Sequence, residues 1–183
     1  MEERKILSKN TFTPDQTHYE QAYAEMTKLS DLLLFGFVVL MALVLVVSSI
    51  VTKSPFFGRD NLVPLIALGL AFVIVLVQHF LLPKINAKRS VRRIRETFGD
   101  LAELTVTVDE TGVSMYNAAN DSTAKFAFRS FAKFSESRDL LLLRTFARQT
   151  VMVSKTGFTD GFDEASFKAL MREKCPNAKC KWK

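Results

Sequence analysis

Leu32–Val51 reads LLLFGFVVLMALVLVVSSIV and Leu62–Leu82 reads LVPLIALGLAFVIVLVQHFLL. The stretches are 20 and 21 residues long and contain no Asp, Glu, Lys or Arg. A helix rising about 1.5 Å per residue carries each across a hydrocarbon core of about 30 Å. Ten residues, Thr52–Asn61, join them. Pro55 and Gly58 predict a tight turn in that loop, with Phe56 and Phe57 at headgroup level. The pattern predicts a two-span membrane hairpin, 32–82, between an N-terminal segment, 1–31, and a larger region, 83–183.

Charge sets the orientation. Lys84, Lys88, Arg89, Arg92, Arg93 and Arg95 follow the second run at once, with no acid among them, and by themselves equal the chain's net charge of +6. The joining loop holds only Lys53 and Arg59 as cations. Basic residues concentrate on the cytoplasmic side of spans, so both termini are expected in the cytoplasm. The cluster reads as a topology signal and as a contact for anionic lipid headgroups. The remaining 88 residues, Glu96–Lys183, are nearly charge-balanced, which argues against a nucleic-acid partner. The first run begins behind a net acidic segment and is too long for a signal-peptide core, so no cleaved leader is expected.

Within the spans, Ala67 and Ala71 flank Gly69. Small residues at this spacing suit close helix approach within the hairpin or between two copies of the chain, and also occur by chance in such a composition. Gln78 and His79 are the strongly polar side chains of the second run and are expected near the cytoplasmic interface, in reach of water. Pro64 suits the first turn of its helix, and Pro83 is expected to end that helix.

Outside the hairpin the periodicity changes. Lys5–Phe12 alternates as a strand. Thr13, Pro14 and Gln16 predict a capped helix start, and Tyr19, Ala22, Tyr23, Met26 and Leu29 give that helix one apolar face leading into the first span. After the second span, Ile85, Val91, Ile94 and Phe98 form a stripe on a basic helix. From Leu104 the period is two. Strands are expected over Leu104–Val108, Val113–Met115, Lys125–Phe128, Phe131–Ser135, Leu140–Leu143 and Thr150–Val153. The turn Asp109–Gly112 is expected to use Gly112 at positive φ. Asp163 caps a last helix whose apolar face is Phe167, Leu170, Met171 and Cys175, and Pro176 ends it. Antiparallel strands closed by one amphipathic helix are the plan of a pleckstrin-homology-like roll.

The order of elements, with Phe131-Ala132-Lys133-Phe134, Leu140–Leu143, Val151–Lys155 and Gly157-Phe158 before the closing helix, resembles the YcxB-like bacterial membrane proteins. Phe131 stands where that pattern has Trp, and Ser154 where it has Pro. The resemblance implies a multi-pass protein of the bacterial inner membrane. Its fold would be α+β, with the hairpin inserted in a small antiparallel pleckstrin-homology-like β-roll joined by the N-terminal strand. The resemblance brings no catalytic residues.

The residues suggest little chemistry. Lys155, after a strand and before Gly157, is the candidate ligand contact; otherwise it is a solvated strand-end lysine. Asp160, Asp163 and Glu164 suit a helix N-terminus. Paired carboxylates, a Gly-x-Ser-x-Gly elbow and a Gly-rich phosphate loop are missing from the sequence. Cys175 and Cys180 lack the ligand spacing of structural zinc, and of the two histidines, His18 and His79, the second lies inside the second apolar run; both cysteines are expected as reduced thiols. No metal, cofactor or enzymatic activity is expected. The expected function is a membrane-anchored cytoplasmic binding or scaffold module, with protein or lipid partners. The alternative is a regulatory or immunity-type membrane protein acting through its spans on another membrane protein.

Overall fold

The structure, a computed structural model, describes residues 5–52, 61–99, 101 and 103–182. The turn expected at Pro55 and Gly58, with Phe56 and Phe57, lies outside the described residues. The chain is α+β and divides into two units, Met1–Glu25 with Asn86–Lys183, and Met26–Ile85. The segments before and after the apolar pair therefore form one unit into which the pair is inserted.

Strand β1 (Ile6–Phe12) pairs antiparallel with β2 (Leu104–Asp109), although some ninety residues separate them. β3 (Gly112–Asn117) and β4 (Ser122–Ala127) complete a four-stranded sheet in the order β1-β2-β3-β4. Alternation produces its buried face: Leu104, Val106 and Val108 are buried, while the intervening residues are half-buried. Gly112 does not have the positive φ expected of it. Its requirement is steric, because a Cβ there would lie 2.2 Å from the Phe126 carbonyl oxygen across the strand pair. The turn is instead held by Asp109, whose Oδ1 accepts from the Thr111 and Gly112 backbone N–H groups.

A short 3₁₀ turn, Phe128–Ser130, follows β4 where the sequence suggests continued strand. It carries the chain into a second sheet of β5 (Phe131–Glu136), β6 (Leu140–Thr145), β7 (Thr150–Ser154) and β8 (Lys179–Cys180), ordered β7-β6-β5-β8. β8 lies outside the sequence expectation, since two residues show no periodicity. The sheets are stitched together at β1. The buried Asn10 side chain donates to the Ser154 carbonyl and accepts from the Ser154 N–H, at 2.7 and 3.0 Å. Thr11 N–H donates to the Gly157 carbonyl at 2.7 Å. A Cβ on Gly157 would come within 2.7 Å of the Thr11 oxygen, so this junction requires glycine.

The core between the sheets is aromatic. Phe131, Phe134 and Phe167 are fully buried with Leu141, Leu143, Val151, Val153 and Met171. Helix α4 (Glu164–Lys174) supplies Phe167 and Met171, as its spacing predicts, and Asp163 caps it by accepting from Ser166 N–H at 2.6 Å. Trp182, which the periodicity does not reach, stacks on Phe134 with ring centroids 4.8 Å apart. Its indole N–H donates to the Ser135 carbonyl at 3.0 Å.

Helix α1 runs unbroken from Gln16 to Thr52. Its cap is Asp15, not Thr13. His18 N–H donates to Asp15 Oδ1 at 2.9 Å and Asp15 N–H donates to His18 Nδ1 at 3.2 Å, a reciprocal box two residues later than expected. In its first turns Ala22 is buried, and Gln21 bonds the β5–β6 turn through Ser137 and Asp139.

The second apolar run forms α2 (Leu62–Leu76), a π turn (Val77–Leu81) and α3 (Leu82–Phe98) as one continuous 37-residue helix. Pro83 does not end it. A proline inside a helix clashes with the carbonyl four residues back, here His79. The π turn widens the backbone at that place: Leu82 N–H donates to the Val77 carbonyl, five residues earlier.

Candidate functional site

Helix α3 presents the six predicted cations. Lys84, Lys88, Arg89, Arg92, Arg93 and Arg95 are all exposed. At 3.6 residues per turn they cover about half of the circumference. The buried residues on the other half are Pro83, Ala87 and Val91, with Ile94 half-buried. This corrects the expected apolar stripe. Ile85 sits in the middle of the basic arc and is exposed, and Phe98 is exposed near the helix end. The small residues Ala87 and Ser90 serve the inner face instead, and Ser90 Oγ lies 2.8 Å from the Tyr23 hydroxyl of α1. Arg92 pairs with Glu96 at 2.6 Å. Among the described residues the other five cations carry no ion pair, which leaves a surface suited to anions.

Lys155 is placed differently. Its Nζ is 3.1 Å from Glu136 Oε1 at the end of β5, and Lys168 Nζ is 2.8 Å from the other oxygen of the same carboxylate. Lys168 also reaches Glu164 at 2.6 Å. Burial pushes the Lys168 ammonium down, but Glu136 and Glu164 outweigh it and hold the group above its ordinary value. The network ties β5, β7 and α4 together. Lys155 is thus committed to an internal carboxylate.

In the inserted unit, polar contacts join the antiparallel helices at both ends. Ser49 Oγ accepts from Asn61 Nδ2 at 3.0 Å near one end. At the other end His79 Nδ1 lies 3.0 Å from Asp31 Oδ2, and Thr27 Oγ1 donates to the same oxygen at 3.4 Å. Asp31 is buried. His79 stands inside the π turn, and its neighbour Gln78 has a buried Oε1 without a partner among the described residues. Sequence reading marks His79 but misses Asp31, which precedes the first apolar run by one residue. A signal was present: Ser49 and Asn61 lie six residues either side of position 55, and Asp31 and His79 lie twenty-four either side. In an antiparallel pair such equidistant residues meet.

A cavity of about 460 Å³ opens beside this pair, lined by Phe35, Phe72, Val75 and Phe80 with Lys28, Asp31 and His79, and its walls are almost wholly apolar. Ala67 and Ala71 line a smaller gap of about 160 Å³ together with Val38, Met41 and Leu45. A Cβ added at Gly69 would meet no other part of the protein within 4 Å.

Both cysteines are free. Burial pushes the Cys175 thiol up to about 11, so it stays protonated and unreactive, while Cys180 is exposed. No group of three metal-ligating side chains occurs among the described residues. No protein-family profile matches the chain, and no curated protein matches it.

Proposed function

We propose that the chain is a multi-pass membrane protein whose hairpin anchors a cytoplasmic binding or scaffold unit, with both termini in the cytoplasm. The observation that carries this reading is the exposure of the apolar helices. Only 11% of the most apolar window of Ser30–Val51, and 6% of that in Leu62–Phe98, is buried within the protein. A core helix of a water-soluble protein hides such a surface; one left in water exceeds the few hundred Å² of apolar patch that soluble monomers tolerate. Lipid is the solvent that suits it. The two sheets closed by α4 support a pleckstrin-homology-like roll, and the order of elements supports a YcxB-like relationship. The free cations of α3 suit the anionic lipid of the inner leaflet, at about 1 kcal/mol for each basic residue near the surface.

The exposed Cys180 supplies the test. In intact bacterial spheroplasts a membrane-impermeant maleimide should leave it unlabelled, and lysis should expose it. Labelling before lysis would place the C-terminus outside and overturn the orientation. Replacing Arg89, Arg92, Arg93 and Arg95 with Gln should raise the labelled fraction before lysis; an unchanged fraction removes them from orientation control.

A further inference from the structure

We propose that the tip joining β6 to β7 is the surface on which the sheet-bearing unit docks a protein partner. Phe146 is its anchor, with Arg129, Arg144 and Arg148 around it, and the partner that fits is acidic with an apolar pocket. The inference rests on the cytoplasmic binding reading above, and names the surface and the kind of partner.

Two local rules are broken at this tip. β6 ends at Thr145 and β7 begins at Thr150, so Phe146-Ala147-Arg148-Gln149 makes the turn. Gly, Asn, Asp, Pro and Ser dominate turns, and none of them is present here. Phe146 is 71% exposed, more than any other large apolar side chain of the sheet-bearing unit among the described residues. Arg148 has a φ of +64°, in the left-handed region that suits glycine and disfavours side chains with a Cβ. The tip is nevertheless firmly held. The buried Thr145 donates its N–H to the Gln149 carbonyl at 2.9 Å. It accepts from Arg148 N–H at its carbonyl, at 3.0 Å, and from Gln149 N–H at Oγ1, at 3.1 Å. A polar residue at 146 and a glycine at 148 would make the same turn with less strain and less exposed apolar surface. Departures from local rules that the fold does not need concentrate at functional sites.

Charge then selects the partner. Phe146 N–H donates to the Ser130 carbonyl at 2.9 Å, which brings the 3₁₀ turn carrying Arg129 beside the tip. Arg129 and Arg148 are exposed and Arg144 is half-buried. None of the three makes an ion pair among the described residues. Neither Ser122–Ser135 nor Leu140–Thr159 contains an Asp or Glu. An exposed aromatic ring set among arginines is the composition of an interface hot spot, with the ring as the group that fills a pocket. Arginine at all three places suits a partner read by the paired hydrogen bonds of a carboxylate. A lipid surface asks only for charge, which the mixed lysines and arginines of α3 supply. The near charge balance of Glu96–Lys183 disfavours nucleic acid.

The test uses the full chain in phosphatidylcholine nanodiscs, where α3 meets no anionic lipid. Two fluorescein-labelled peptides of equal Glu content, one with Leu and one with Ser at the intervening positions, are titrated by anisotropy against it, with empty nanodiscs subtracted. The Glu–Leu peptide should bind about tenfold more tightly than the Glu–Ser peptide, and Phe146→Ser should erase that difference. Arg148→Gly should weaken both peptides about tenfold. Its melting temperature, followed by Trp182 emission, should hold or rise, because glycine relieves the left-handed backbone. Native-like binding by both variants would overturn the proposal. So would a fall in melting temperature with Arg148→Gly, which would assign Arg148 to the fold. Flotation with added phosphatidylglycerol vesicles, or affinity for oligothymidylate, that drops in the variants while peptide binding is spared would transfer the tip to lipid or to nucleic acid. Cys180 labelling separates the two readings. Labelling from outside the cell overturns the cytoplasmic reading itself, whereas protection of Cys180 without a Leu preference overturns the docking tip alone.

Discussion

The same side chain is used in opposite ways in the two units. Phe131, Phe134 and Phe167 are fully enclosed in the sheet unit, whereas Phe35, Phe37, Phe72 and Phe80 of the apolar helices are 44–58% exposed. Polar groups follow the same division. The sheet unit gathers Glu136, Glu164, Lys155 and Lys168 into one network. The helical pair has interhelical side-chain bonds at its two ends, Ser49–Asn61 and Asp31–His79. Composition alone does not separate these regions; arrangement does. Apolar residues at period two build an inside and an outside, and an uninterrupted apolar run leaves a helix with neither. The first organisation is driven by water. The second, on the membrane reading, depends on packing and sparse hydrogen bonds, because lipid tails are as apolar as the side chains.

The sharpest way to break this contrast is to truncate a phenylalanine in each unit. Phe134→Ala removes a ring that packs on Phe131 and stacks on Trp182. The cost should be about 3–5 kcal/mol, read as loss of the sheet unit's cooperative melting followed by Trp182 emission. Phe37→Ala in the exposed helix face should cost less than about 0.5 kcal/mol. Equal losses would show that the helices hide their surface against protein.

The polar network comes next. Glu136→Ala leaves Lys155 and Lys168 with a carboxylate removed from between them. Their side chains are 20% and 13% exposed, so the loss falls between the surface and buried extremes, at about 2 kcal/mol. Lys155→Met keeps the stem's packing and should cost about half of that. A thermal melt unaffected by Lys155→Met would free Lys155 for the ligand role that its position after a strand suggests.

In the helical pair the corresponding loss should be smaller. Ser49→Ala removes the Asn61 contact, and interhelical hydrogen bonds in lipid are worth about 0.6 kcal/mol on average. Resistance of the bicelle-embedded chain to SDS unfolding checks it. A loss matching that of Glu136→Ala would mean that the end clasps hold the hairpin together.

How much of this was legible in the sequence follows from the same division. Most strands, the turn at Asp109, the Asp163 cap and the Phe167–Met171 face are local patterns, and they appear where periodicity places them; β4 is the exception, starting at Ser122, three residues before the expected Lys125, and giving way to a 3₁₀ turn at Phe128. The misses are long-range or subtle. Pro83 reads as a terminator because the compensating π turn has no sequence signature. Thr13 reads as the cap because the Asp15–His18 box uses His where Glu or Gln is usual. Trp182 and the two residues of β8 are too few to show a period, and Asn10 is polar in a buried place because its partner, Ser154, is 144 residues away. The six cations of α3 were legible as a cluster, since charge needs no fold to be counted, but the small inner face of Ala87 and Ser90 was not. Lys155 was legible as a residue but not in its pairing, which joins strands and helix across the sheet unit.

The smallest effect distinguishes capping from charge within the sheet unit. The Asp163 carboxyl is held below its ordinary value of 3.8, first by the Ser166 backbone N–H that it accepts from. A folded-state value below the unfolded one means a stabilising contribution fully present above about pH 3.8 and lost as pH falls through the folded value. Asp163→Asn keeps an oxygen in the capping position and removes the ionisation. The native chain and the variant should therefore differ slightly in melting temperature at neutral pH and converge in acid, with α4 still formed in both. A difference that persists undiminished in acid would assign the role of Asp163 to its shape. No difference at neutral pH would place the whole anchoring of α4 in Phe167, Met171 and the Lys168 bridges, and would make the closing helix as dependent on apolar burial as the strands beneath it.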